Sequence, residues 1–117
     1  MTQSIARDQS VAQATIPSGA AVSNPIDYRD YASGGLVMPA GWTSAAIAFK
    51  VSADKVSFIP LKVAAGTLLE LATPAANEAR PLPAELAAFA FFQLWSETSG
   101  SDVAQGADRA FTLHLKA

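Results

Sequence analysis

Few side chains in this sequence could do chemistry, and their spacing narrows what that chemistry could be. The single histidine, His114, lies in the run FTLHLK, and there is no cysteine. A structural or catalytic metal centre usually takes two or more His or Cys ligands, which this chain cannot supply. The serines have His114 as their only candidate base, and no GxSxG elbow is present. The carboxylates leave calcium to consider, through Asp27 with Asp30, Asp54, and Asp102 with Asp108. None of them forms the dense Asp/Asn-Gly ladder of a calcium loop. Asp27 and Asp30 bracket Tyr28 and Arg29, the pattern of a turn with its own ion pairs. Asp54, in SADK, fits a hairpin turn whose short side chain caps the backbone. Gly34-Gly35 is followed by no Lys-Ser/Thr, so it reads as a turn and not as a phosphate cradle. The expectation is a protein that is not an enzyme, with no catalytic residues, no cofactor and no resident metal.

The aromatic residues offer the other route to function. Trp42, just after Pro39-Ala40-Gly41, could stack a sugar ring, or it could plug one end of a core while its indole N–H finds a backbone partner. The plug is preferred. Tyr28 and Tyr31 lie in a charged loop and are read as exposed contacts, with Trp42, Tyr28 and Tyr31 as the stacking platforms if a glycan is bound. Trp95 falls inside an apolar run and is assigned to the core or to a subunit contact.

The elements that must position these residues are short strands. In AIAFKVS, Ile47, Phe49 and Val51 share one face while Ala48 and Lys50 share the other, the period of a half-buried strand. FTLHLK repeats it, with Phe111, Leu113 and Leu115 inward and Thr112, His114 and Lys116 outward. FAFFQLWS is apolar on both faces, which suits a central strand or one that meets a partner. Weaker strands are expected at 35–38, 56–60 and 67–72, and a turn or two of helix after Pro83. Pro17-Ser18-Gly19, Ser23-Asn24-Pro25, Ser33-Gly34-Gly35 and Pro39-Ala40-Gly41 break the chain too often for a long helix. Short strands with a turn signal every 8–12 residues predict one all-β domain, an antiparallel β-sandwich or jelly roll over 15–117. Residues 1–14 show no period and are read as a flexible or partner-bound arm, dispensable for the fold.

At 117 residues the chain has room for one domain. Charged residues are only 15 % of it and the net charge is −2. A surface so lightly charged is easy to desolvate, which favours a protein packed against others, in many copies. Basic residues are scattered singly, so nucleic acid is not expected as a partner. No run is apolar for long enough to span a membrane, and the polar N-terminus lacks the apolar middle of a signal peptide.

The order of three segments carries a resemblance. These are IPSGAAVSNPIDYRDY, GGLVMPAGWTSAAIAFKVSAD and LWSETSGSDVAQGADRAFTLHLK. With Ser18-Gly19, Gly35, Met38-Pro39, Trp42-Thr43, Phe49, Ser52, Asp54, Gln105 and Ala107-Asp108-Arg109, the chain from Ile16 onward resembles small proteins encoded among the virion structural genes of tailed bacteriophages. It departs from them at Lys55, where glycine is common, and over Trp95–Gly100, where they tend to end a strand in Arg-Ser-Gly-Thr. A more distant similarity links Trp42, Phe49 and Asp54 to discoidin-type sugar-binding sandwiches. The resemblance implies a virion protein, most simply a capsid decoration or cement protein assembled in the host cytoplasm. Its expected partners are other virion proteins, the major capsid protein first, and further copies of itself. Ile5, Arg7, Val11, Tyr28 and Tyr31 are the expected interface residues. The alternative is a carbohydrate-binding module of the neck or tail.

Overall fold

The computed structural model of the chain describes residues 9–63, 66–72 and 74–117. Ten strands follow one another: β1 (Gln9–Ile16), β2 (Ile26–Asp27), β3 (Ser33–Val37), β4 (Ala46–Ser52), β5 (Ile59–Pro60), β6 (Glu70–Leu71), β7 (Ala79–Pro81), β8 (Phe91–Thr98), β9 (Ser101–Asp102) and β10 (Arg109–Lys116). The helical turn expected after Pro83 is a 3-10 turn, Ala84–Ala88, which buries Leu86.

The strands form two antiparallel sheets, β1-β10-β3-β7 and β2-β8-β4-β5, with β6 added to β4 and β9 to β8. With those two short additions set aside, eight strands remain in two four-stranded sheets, and the chain crosses between the sheets as a jelly roll does. The all-β sandwich expected from the turn spacing is the fold observed.

Alternation decides what fills the space between the sheets. Ile47, Phe49 and Val51 from β4 meet Phe111, Leu113 and Leu115 from β10, all at most 2 % exposed. Phe92 lies edge-on to Phe49 and to Tyr28, with ring centres 6.1 and 5.3 Å apart. The interior is thus packed with aromatic and branched side chains. The apolar outer face of β8 is explained by its central place and by cover from the chain itself. Arg29 lies 5.1 Å and Lys55 5.9 Å from the ring of Phe91. Trp95 packs with Ala21, Ala48, Val22 and Leu68.

Three expectations are corrected. The arm of residues 1–14 is a strand over its second half, because Gln9–Ile16 pair in register with Lys116–Arg109 and bury Ala14 and Ile16. Its inward side chains are Ser10, Ala12, Ala14 and Ile16, and the small first three gave that strand little hydrophobic signal. The strand expected at 56–60 is reduced to Ile59–Pro60, since Asp54 draws Val56 and Ser57 into its turn. The one expected at 67–72 is reduced to Glu70–Leu71, because Lys62 and Leu68 bridge each other first.

Candidate functional site

Part of the set that carried the sequence resemblance, Ser18-Gly19, Trp42-Thr43, Gln105 and Asp108-Arg109, converges at one end of the sandwich, whereas Ser52 and Asp54 lie at the other end of β4. Gln105, 1 % exposed, is their hub. Its Oε1 accepts hydrogen bonds from the Thr43 backbone N–H at 2.9 Å and from Arg109 Nε at 3.1 Å. Its Nε2 donates to the Thr43 carbonyl at 3.1 Å and to Ser96 Oγ at 2.8 Å. Arg109 Nη2 also donates to Thr43 Oγ1. Gly41 lies beside it, and a methyl there would sit 2.6 Å from Arg109 Nη1, so the guanidinium would have to shift. Asp108 accepts the Ser18 N–H at 2.7 Å, and the Gln105 carbonyl accepts that of Gly19. Gly19 takes φ +81°, the left-handed value that closes the Pro17-Ser18-Gly19 turn. Every polar end of Gln105 is thus used up on the protein itself. The cluster ties three loops together.

Trp42 belongs to this corner. Its ring meets Phe111 edge-on at 5.5 Å and its indole N–H donates to the Ala45 carbonyl at 3.2 Å. It is half-buried and closes the core, as the plug reading required. Tyr28 is a correction. Far from being an exposed contact, it is 2 % exposed and packed against Phe92, and burial raises its hydroxyl pKa above the usual value. The charges around it misled: Arg29 and Asp27 point outward and pair at 2.7 Å while the tyrosine between them turns in. Tyr31 is half-buried against Tyr28, their ring centres 6.1 Å apart.

Of the carboxylates weighed for calcium, Asp27, Asp54, Asp102 and Asp108 accept protein donors. Asp54 accepts from the Val56 and Ser57 N–H groups and from Ser52 Oγ, so its carboxyl falls to about 2. Asp27 falls to about 2 through its hydrogen bonds with the Arg29 side chain and backbone. Asp102 accepts the Trp95 indole N–H at 2.7 Å. Among the described residues no group of three or more His, Cys, Asp or Glu comes together. His114 is exposed on the outer face of β10, next to Val11 in register.

What remains open is the edge of β1. The sandwich has four edges, and three are short: β7 has three residues, β2 and β5 two each. β1 has eight. Its Thr15 N–H donates to Asn24 Oδ1 at 2.8 Å, and its carbonyl accepts the Asn24 N–H at 3.3 Å. Both groups therefore face away from β10. Backbone groups alternate along an antiparallel strand, so those of Val11 and Gln13 face the same free side. Among the described residues nothing pairs with them. Val11 is 65 % exposed. From Gln9 to Ile16 there is no charge and no proline, the usual guards of a sheet edge. Of the expected interface residues, then, the structure exposes Val11, half-buries Tyr31 and buries Tyr28. Ile5 and Arg7 lie outside the described residues.

No protein-family model matches the chain, and no curated protein matches it. Its fold is shared with the crystal structure of the SPBc2 prophage-derived protein YomS, at a TM-score of 0.64 over 100 % of both chains and 11 % sequence identity. Identity that low speaks for the fold alone. No helix among the described residues is long and apolar enough to cross a membrane.

Proposed function

We propose that this protein is a non-enzymatic structural component of a bacteriophage virion, a capsid decoration or cement protein that binds the particle along the open edge of β1. The observation that carries the reading is that edge: eight uncharged residues on a jelly roll whose other edges are short and whose interior is full. An incoming strand would pair with Val11 and Gln13, main chain to main chain, with Val11 as the apolar side contact. The sequence resemblance and the fold shared with a prophage-derived protein both support a phage setting. The partners proposed are other virion proteins, the major capsid protein foremost, and further copies of this chain.

Such a protein works by area and by number. A stable contact buries on the order of 1,600 Å², and symmetric repetition turns modest contacts into avidity. The carbohydrate reading is left with little support, because Tyr28 is in the core and Trp42 is turned edge-on into it. The deciding experiment counts copies of the chain in purified virions against the major capsid protein. A ratio approaching one or one-third fits decoration of the lattice. A few dozen copies would move the protein to the neck or tail, and none would overturn the proposal.

A further inference from the structure

One buried side-chain oxygen among the described residues has no hydrogen-bond partner, Oε2 of Glu97. Glu97 is 0 % exposed, and a carboxylate so placed needs compensation. Its other oxygen, Oε1, accepts the Gly100 N–H at 2.7 Å and so supports the two-residue turn from β8 to β9. No cation answers it, since the ion pairs found among the described residues are Arg29–Asp27 and Arg80–Glu78. What faces it is a second acid. Glu70 lies opposite Ala48 and Glu97 opposite Ala46, so the two acids flank β4 on one face with only alanine methyl groups between them. Their carboxyl groups come within hydrogen-bonding reach. Two ionised carboxylates at that range repel. One shared proton converts the contact to an O–H···O⁻ bond and gives Oε2 its donor.

We propose that Glu70 and Glu97 form a proton-operated latch, which pins β6 against the edge of β4 and releases it when the shared proton is lost. β6 is held on its inner side by Leu71, which packs with the neighbouring Leu69 against the core, so its outer side is where the acid pair acts. It is two residues long and is tied to β4 at Ile47–Leu71 and Ala48–Glu70. Beside it, Leu68 packs with the Trp95 cluster, and the two line one surface depression with Lys62 and Gly100. Release of β6 therefore uncovers the indole. The other charged groups on this side of the sheet are Asp102, Lys50 and Lys62. Asp102, opposite Glu97 on β9, accepts from Trp95, and Lys50 lies 4.8 Å from the Trp95 ring. The hydrogen bond with Glu97, then burial, then the charge of Glu97 lift Glu70 to about 7, which puts the release near neutral pH.

The test is the emission of Trp95 in a Trp42→Phe variant, where it is the sole tryptophan, from pH 5 to 9. The expected result is a red shift through a single transition near pH 7. It should be absent when Glu70→Gln is added, because the amide donates to Glu97 at every pH. Hydrogen exchange of β6 in the unsubstituted chain gives the same comparison without touching Trp42. There, protection should fall about tenfold beyond the intrinsic pH effect. The latch is overturned if neither signal changes between pH 6 and 8, or if the change survives in Glu70→Gln.

Discussion

At the scale of single residues, the short polar side chains in this fold act on the backbone. Gln105→Ala would orphan the Thr43 backbone and the Ser96 hydroxyl at once, and should cost about 3 kcal/mol, read as a lower urea midpoint. Lys55 should respond in the opposite sense. It holds φ at +67°, a conformation natural to glycine, so Lys55→Gly should stabilise by roughly 0.5–1 kcal/mol. That position is where the resemblance expected glycine, and the left-handed turn supplies the reason. The turn at Asp54 was legible in SADK because an Asx cap is a local device. Tyr28 was not, since the direction of a side chain in a charged loop depends on the sheet that passes beneath it. Nor was the Glu70–Glu97 pair, whose members are 27 positions apart and meet only through the register of β4. The acids also set the pH profile. Asp27 and Asp54, lowered to about 2, contribute stability that is present above 3.8 and lost as pH falls towards 2. Glu70, raised from 4.5 to about 7, contributes stability that is full below 4.5 and lost as pH rises through 7. Thermal stability should therefore peak near pH 4, and Glu70→Gln should flatten the decline on the neutral side.

At the scale of elements, β1 and β10 carry the strongest consequences. Removal of residues 1–8 should leave the two sheets intact, whereas removal of 1–14 takes most of β1 and uncovers the flank of β10. Circular dichroism of the two truncations should show a folded and an unfolded chain respectively. Val11→Lys places a charge on the free edge without touching the core. It should leave the melting temperature within a few degrees while weakening attachment to the particle. If particles retain Val11→Lys as well as they retain the natural chain, contact along β1 is excluded. The sequence announced β4 and β10 through strict alternation of large residues. It hid β1 because three of its four inward side chains, Ser10, Ala12 and Ala14, are small, and β2, β7 and β9 because two or three residues are too few for a period to register.

At the scale of the whole molecule, turn spacing implied the two-layer class, but the order of strands came only from the structure. Pairing of β1 with β10 brings the first and last described strands side by side, across nearly the full length of the chain. Contacts so distant in sequence are slow to find, and folding should take milliseconds to seconds, as stopped-flow fluorescence would show. The same pairing carries a practical consequence. Gln9 lies directly opposite Lys116, so the two points where the chain enters and leaves the sandwich are neighbours. A short linker could join them and new ends could be cut in the exposed turn at Asn77, giving a circular permutant of the same architecture. Cargo fused before Gln9 or after Ala117 would leave from one corner of the protein, side by side, as a pair of handles on a single face.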